Sequence, residues 1–413
     1  MKVSVFTLGC KVNRSESDSI MKKLSEMGYE VTDELEYADL YVVNTCAVTS
    51  EAEKKSRQVS SRISAINPNA RVIFTGCATQ NSPESFINKG NAQLVTGTFE
   101  KGKIPELLSE YGVKIADQNN VFEELLPAES LRTRTYVKIQ DGCNNFCSYC
   151  LIPYLRGRSR SRSPESIIQE INETKPLECV LNGINISDYH YGDDDLASLI
   201  EKLSEVTARI RLGSLEVGVV NDRLLSALKN LKDFAPQFHL SLQSGSDEVL
   251  KKMNRHYTTA DYLDRVNLIR KYFPNAGITT DIIVGFPTET EDNLSESLAF
   301  TEEVGFSDIH PFPYSKRTGT VASKLTDLDK SVKKERLKKM LVKKQICRDK
   351  FHRAQIGKTL SVLTETIEDG YAVGYSENYV RVYLDGAVAE KEKFYSVTVT
   401  GLFADGVTGV IKN

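Results

Sequence analysis

The stretch Cys143-Asn144-Asn145-Phe146-Cys147-Ser148-Tyr149-Cys150 carries three thiols at offsets of four and three, with an aromatic directly before the last. Cysteine thiolates hold iron–sulfur clusters, and a cubane with a complete protein shell takes four of them. Three close thiols leave one iron without a protein ligand, and an open metal position belongs to a site that binds something besides protein. Zinc or a redox dithiol would use the same residue type. No fourth Cys or His lies close, since Cys179 and His190 come next. In a reduced intracellular chain this spacing points to a cluster.

The chain has 413 residues, 40% apolar and 26% charged, which fits two or three ordinary globular domains. Lys and Arg number 53 against 56 Asp and Glu, a formal charge of −3. No global basic field marks the chain for nucleic acid, so any RNA contact must come from local patches. No apolar run is long enough to span a bilayer, and Met1-Lys2-Val3-Ser4-Val5 enters a strand pattern without a signal-peptide core. A cytoplasmic protein with no membrane attachment is expected. Eight cysteines in a reducing compartment point to metal ligation rather than disulfides.

The N-terminal part alternates strand and helix patterns. Strands are expected at Lys2–Thr7, Asp39–Thr45 and Arg71–Thr75, and helices at Ser15–Met27, closed by Gly28, and at Glu51–Ile66. The alternation predicts a small parallel α/β sheet. A cysteine follows each strand: Cys10 after Thr7-Leu8-Gly9, Cys46 after Asn44-Thr45, Cys77 after Thr75-Gly76. Open α/β sheets form their sites beyond the carboxyl ends of their strands. Three cysteines far apart in sequence are therefore expected to meet at one edge as a second three-thiolate site. The alternative is three small buried residues, because thiols often pack in cores. Asn13 is placed to cap the helix after Cys10.

Residues 101–130 read as a helix and an interdomain connection. From Arg134 the alternation resumes, with strands at Thr135–Gln140, Glu178–Leu181, Arg209–Leu215, Gln237–Leu242, Gly277–Val284 and Ser307–Tyr314. Helical patterns fill the gaps at Pro164–Thr174, Leu196–Val206 and Asn293–Glu303. Arg156, Arg158, Arg160 and Arg162 leave the cysteine loop either as a solvated run or as phosphate contacts at the mouth of a site. Cys179 and Cys347 read as packing residues. Lys333–Lys358 reads as an amphipathic helix with a basic face and an apolar stripe of Leu337, Met340, Leu341 and Ile346. After Ile356-Gly357-Lys358, strand patterns at Thr359–Thr366, Tyr371–Gly374, Tyr379–Leu384, Lys393–Thr400 and Val407–Ile411 predict a small β-barrel. Aromatic and basic residues interleave there around Tyr379 and Arg381, as stacking on RNA bases requires.

Together these segments resemble one family, the radical S-adenosylmethionine (radical SAM) methylthiotransferases. C-x3-C-x2-C with Tyr149 is similar to the radical SAM signature. Thr7-Leu8-Gly9-Cys10-Lys11-Val12-Asn13, Asn44-Thr45-Cys46-Ala47-Val48-Thr49 and Thr75-Gly76-Cys77 resemble the three signatures of the methylthiotransferase N-terminal domain. Gly374-Tyr375-Ser376-Glu377-Asn378-Tyr379-Val380-Arg381-Val382-Tyr383 resembles the TRAM domain, an RNA-binding barrel. The resemblance implies a methylthiotransferase domain at 1–115, a linker at 116–131, a partial (β/α)6 radical SAM barrel at 132–355 and a TRAM barrel at 356–413.

Two [4Fe-4S] clusters are implied, one on Cys143, Cys147 and Cys150 and one on Cys10, Cys46 and Cys77, with S-adenosylmethionine (SAM) on the open iron of the first. Implied SAM contacts are Tyr149, Gly183, Glu216, Ser241, Gln243, Arg255 and Gly285. The sequence departs from the family in having Val217 after Glu216, where Pro is common, and Thr288 where Gly is common. The implied activity is radical insertion of a methylthio group at C2 of a modified adenine. The segment Thr7–Asn13 is most similar to the bacterial type acting on N6-threonylcarbamoyladenosine beside the tRNA anticodon. Isopentenyladenosine enzymes carry Tyr-Gly-Cys-Gln-Met-Asn there, and ribosomal-protein enzymes Gly-Cys-Pro-Lys-Asn. Implied partners are the tRNA anticodon loop, an electron donor such as flavodoxin or ferredoxin, and a sulfur donor, with the enzyme a monomer. A non-catalytic electron carrier would have no use for an RNA-type barrel, and a zinc scaffold would need fourth ligands that the sequence lacks.

Overall fold

The β-branched runs near the N-terminus form six parallel strands: β1 (Lys2–Thr7), β2 (Glu30–Thr32), β3 (Leu40–Thr45), β4 (Arg71–Gly76), β5 (Ala92–Thr96) and β6 (Gly112–Lys114), in the order β2-β1-β3-β4-β5-β6. The structure is a computed structural model that describes residues 1–128, 130 and 132–412. Positions 129 and 131 of the expected linker and 413 of the expected barrel lie outside the described residues. The chain divides into two compact units: Met1–Pro176 with Leu181–Asp195 and Ser315–Lys324, and Leu177–Val180 with Leu196–Tyr314 and Leu325–Asn413.

In the first unit both faces of the sheet are covered, as a parallel sheet demands. Tyr41, Val43 and Phe74 pack with Val59 and Ile63 on one face, and Val3, Val5, Val42 and Ile73 pack with Ile20 and Leu24 on the other. Each such side chain contributes about 1.5–3 kcal/mol when fully buried. Register sets Thr7 against Asn44 and Thr45 against Gly76, so β1, β3 and β4 end level with one another. Helix α1 (Lys11–Glu26) starts directly after Cys10, four residues earlier than the periodicity indicates. Asn13 therefore lies inside the helix and caps nothing. Its amide donates to the carbonyls of Leu8 at 2.8 Å and Thr45 at 3.0 Å, tying together the loops after β1 and β3. Helix α2 (Ser50–Ile66) is capped by Thr49, whose hydroxyl accepts the Ala52 N–H at 3.1 Å. The helix expected after residue 101 is a short 3-10 segment, Lys101–Leu107, with Pro105 removing a donor from its interior. The same unit holds the strand Arg134–Lys138, the Cys143–Cys150 loop, and the helices Ile152–Arg156 and Pro164–Thr174.

In the second unit Ser214–Leu215, Gln237–Leu240, Gly277–Val284 and Asp308–Pro313 form a parallel four-stranded sheet. The strand expected over Arg209–Leu215 is broken at Gly213. Capping boxes at Thr258/Asp261 and Thr290/Asn293 open the helices Thr259–Tyr272 and Glu291–Val304. The long basic helix is present at Lys330–Arg353, but its buried face is not the expected stripe. Met340 is buried while Leu341 and Ile346 are each 46% exposed, and Lys333, Arg336, Cys347 and His352 complete the buried face. The last five strands close into a barrel around Leu360, Val362, Val382, Leu384, Val397 and Val407. Irregularities at Thr364/Thr366 and Val399/Gly401 bend its two long strands. Among the described residues no helix is long and apolar enough to cross a membrane.

Candidate metal centres

Cys10, Cys46 and Cys77 follow β1, β3 and β4, three neighbouring strands, so the sheet brings the thiols together as the strand-end argument requires. Gly9 makes room for this. It stands at φ +100°, and a Cβ there would fall 2.7 Å from both Cβ and Sγ of Cys46. Gly76, at φ +107° before Cys77, has the Thr45 carbonyl oxygen 2.5 Å from where a Cβ would be. Burial, and then the nearby sulfurs of Cys77 and Cys10, push the Cys46 thiol up to about 12. Cys10 is exposed, and Cys46 and Cys77 are buried. Among the described residues no group of three His, Cys, Asp or Glu side chains is already set to hold a metal ion. The thiols share a neighbourhood, and three soft sulfurs with no oxygen ligand among them suit an iron–sulfur cluster, whose charge would stabilise their ionised form.

Beside these thiols lies a charged cluster that sequence reasoning missed. Arg156, fully buried, donates from Nε to Cys77 Sγ at 3.4 Å and from Nη2 to Asn13 Oδ1 at 2.7 Å. Its Nη1 bridges Glu16 at 2.9 Å and Asp141 at 3.1 Å. Glu16 also accepts from Lys101 at 2.5 Å and Lys138 at 2.9 Å, and Asp141 accepts from Lys138 at 2.7 Å and Arg160 at 3.2 Å. Burial alone would raise both carboxyls, but Arg156 and the two lysines hold Glu16 well below the usual carboxylate range, and Lys138, Arg156 and Arg160 do the same for Asp141. The reading of Arg156 and Arg160 as phosphate contacts is therefore corrected: both are buried in interior ion pairs. Arg162 is buried likewise against Glu170 and Glu124. Arg158 is exposed, with its guanidinium 4.4 Å over the ring of Phe146.

The Cys143–Cys150 loop is anchored at both ends. Asp141 accepts the Gly142 N–H at 2.8 Å, and the Cys143 N–H donates to the Gly157 carbonyl at 3.1 Å. Gly142 is required, since a Cβ there would fall 1.9 Å from the Arg158 carbonyl oxygen. A turn joins the Cys150 N–H to the Cys147 carbonyl at 3.0 Å, and the Ile152 N–H points to Cys150 Sγ at 3.4 Å. All three cysteines and Tyr149 are half-buried. Phe146 takes φ +47° and packs edge-on against Tyr154 with ring centres 5.5 Å apart. Gly183 has a reason in packing: a Cβ there would lie 2.8 Å from the side-chain oxygen of Gln140, which also accepts the Asn185 N–H at 2.8 Å.

In the second unit the expected SAM contacts lie at strand ends. Glu216 follows Ser214–Leu215 and pairs with Arg255 at 2.8 Å. Arg255 also donates to the Ser241 carbonyl at 3.4 Å, and the Tyr257 hydroxyl donates to that carbonyl at 2.6 Å. Gln243 adopts φ +68° and exchanges backbone hydrogen bonds of 2.9 Å with Asp281 and Ile283. Gly285, at φ +71°, has Lys333 Cγ 2.5 Å from where a Cβ would be. In the barrel Tyr379 stacks on Tyr375 at 4.6 Å and carries Arg211 over its ring at 4.7 Å. Arg381 is ion-paired to Glu368 at 2.7 Å and Asp405 at 3.0 Å. Cys179 and Cys347 are buried packing residues, as their sequence setting indicates.

Residues 137–301 match the radical SAM superfamily, and residues 2–97 match a model described as uncharacterized protein family UPF0004. Threonylcarbamoyladenosine tRNA methylthiotransferase MtaB of Bacillus subtilis is 38% identical over 409 residues, covering 93% of this chain and 90% of that protein. The chain belongs to the radical SAM methylthiotransferase family. MtaB of Thermotoga maritima is 37% identical to this methylthiotransferase, covering 98% of this chain and 96% of that protein. The tRNA-2-methylthio-N(6)-dimethylallyladenosine synthase of Clostridium novyi is 34% identical with the same coverage, 98% and 96%. The radical SAM methyltransferase TsrM of Kitasatospora setae, solved with cobalamin and a [4Fe-4S] cluster, superposes with a TM-score of 0.56 at 13% identity over 78% of this chain and 74% of that one. At that identity the likeness shows the fold. Membership of the radical SAM family implies SAM and a [4Fe-4S] cluster as cofactors of this methylthiotransferase.

Proposed function

We propose that this methylthiotransferase inserts a methylthio group at C2 of N6-threonylcarbamoyladenosine next to the tRNA anticodon, using SAM and two [4Fe-4S] clusters. The observation that carries the reading is the gathering of Cys10, Cys46 and Cys77 behind three adjacent strands, in a chain that also carries C-x3-C-x2-C. Similarity to the MtaB proteins supports the threonylcarbamoyl substrate. In this reading Cys143, Cys147 and Cys150 hold the cluster that shares SAM, and the other triad holds the second. When bound, the two groups supply one-electron chemistry and sulfur.

The chain's own residues position and exclude. Tyr149, Gly183, Glu216, Ser241, Gln243, Arg255 and Gly285 are the proposed SAM side, with Arg255 anchored by Glu216. Arg158, Tyr379 and Arg381 are the proposed RNA contacts. The proposed domain limits stay at 1–115, 132–355 and 356–413. A cytoplasmic monomer drawing electrons from a flavodoxin or ferredoxin, with a separate sulfur donor, completes the reading. The test is mass spectrometry of tRNA nucleosides after anaerobic reaction of the reconstituted protein with SAM and reductant. A methylthio mass gain on threonylcarbamoyladenosine is expected. Gain on isopentenyladenosine alone would move the chain to the substrate named for the Clostridium novyi relative and overturn the proposed one.

A further inference from the structure

The guanidinium of Arg156 is fastened to both cysteine loops. Its Nε donates to Cys77 Sγ at 3.4 Å. Its Nη1 reaches Asp141 at 3.1 and 3.2 Å, and Asp141 holds the Gly142 N–H at 2.8 Å, one residue before Cys143. Arg156 also ends the helix Ile152–Arg156, whose first N–H points to Cys150 Sγ at 3.4 Å. One five-residue helix thus begins on a thiol of the first triad and ends on a thiol of the second.

Charge adds a second, independent observation. The ion-paired cluster contains four cations, Lys101, Lys138, Arg156 and Arg160, against two carboxylates, Glu16 and Asp141, and all six side chains are less than a tenth exposed. Glu123 lies close enough to Lys138 and Lys101 to interact with both, and counting it still leaves cations in excess. Buried cations without matching anions are costly. Cys77 is where the surplus points, because the Nε donor of Arg156 is directed at its sulfur and not at a carboxylate. A cluster held by three thiolates carries negative charge, and both its net charge and the hydrogen bonds to its sulfurs set its reduction potential.

We infer that Arg156 is a positioning residue that donates an N–H···S hydrogen bond to the Cys77 thiolate and raises the reduction potential of the cluster on Cys10, Cys46 and Cys77. This rests on the reading that the N-terminal triad holds a cluster. A purely structural Arg156 would neutralise Glu16 and Asp141 and leave the potential unmoved.

The test uses the full chain with Cys143, Cys147 and Cys150 all changed to Ala, so that a reconstituted cluster can sit only on the N-terminal triad. Iron and sulfide analysis comes first. Failure to load a cluster would overturn the reading underneath, and the inference with it. In the loaded and reduced protein, arginine labelled with 15N in its guanidinium should show hyperfine coupling to the cluster by pulsed electron paramagnetic resonance. A loaded cluster with no such coupling overturns the inference while leaving the cluster in place. Redox titration should then find the midpoint displaced to lower potential in Arg156→Gln, with Arg156→Lys between Gln and the parent. An unchanged midpoint in Arg156→Gln also overturns the inference. Should that variant fail to fold, the labelling experiment, which leaves Arg156 in place, decides alone.

Discussion

At Gly9 the backbone turns through φ +100° with Cys46 Sγ 2.7 Å from where a side chain would begin. Gly9→Ala must either move that sulfur or open the loop after β1. The backbone term alone costs about 1–3 kcal/mol. If the triad at this edge holds a cluster of its own, the variant should fold, cleave SAM and bind about half the iron of the parent, because that cluster alone is lost. Full iron content would show that the close approach is not needed for loading. Glu16 makes a different case. Changing it to Gln removes the carboxylate that Arg156, Lys101 and Lys138 share, leaving Asp141 and the nearby Glu123, and breaking a buried ion pair costs about 3–5 kcal/mol. Its acid dependence has a definite sign. The folded-state value of Glu16 lies well below the ordinary one, so between the two the unfolded chain binds a proton that the native state does not. The stabilisation is whole above the unfolded value of about 4.3 and is lost as pH falls below it towards the folded value. Glu170 and Glu289, raised by burial, work in the opposite direction. The difference between parent and Glu16→Gln therefore isolates the term: the gap in urea midpoint should be constant above about pH 5 and shrink as the acid end is approached.

The helix Lys330–Arg353 shows where periodicity informs and where it misleads. Its existence follows from composition, but its inward face does not. Lys333 and Arg336 turn inward because Asp327, Glu289 and Glu291 meet them there at 2.7–2.8 Å, while Leu341 and Ile346 remain exposed. Carboxylates on other segments are invisible to a pattern that counts apolar residues along one helix. A direct check follows from burial. Met340→Ala should cost about 2–5 kcal/mol, as large-to-small changes in a packed core do, and Leu341→Ala should stay within about 0.5 kcal/mol, as exposed positions do. If the sequence stripe were the true core, urea denaturation would find Leu341→Ala as costly as Met340→Ala, since both residues belong to it. Helix α1 carries the same lesson at its start, since Asn13 looks like a cap and instead bridges the carbonyls of Leu8 and Thr45. Strand patterns lie closer to the structure, and Gly277–Val284 matches to the residue. Glu30–Thr32 and Gly112–Lys114 are too short, at three residues each, to show a period, and the five-residue strand Ala92–Thr96 is likewise absent from the sequence reading.

Across the chain the two cysteine triads were legible because each has a local sign, a short spacing in one and a strand end before each thiol in the other. The charged cluster between them had no such sign: its members come from positions 16, 101, 138, 141, 156 and 160, and only the fold makes them neighbours. The triads differ in setting as well as in sequence. Cys143, Cys147 and Cys150 lie on a half-buried loop, whereas Cys46 and Cys77 sit buried at the sheet edge. If each triad holds its own cluster, removing one thiol should disable one function and spare the other. Cys147→Ala should abolish 5′-deoxyadenosine formation from SAM and with it all product. Cys46→Ala should keep deoxyadenosine formation within a few-fold of the parent, because no ligand of the first cluster changes, while methylthio product falls below detection. Both quantities can be read from one anaerobic reaction by chromatography and mass spectrometry. Product made by Cys46→Ala would show that sulfur reaches the adenine without the N-terminal triad, and loss of deoxyadenosine in the same variant would show that the two clusters cannot be separated.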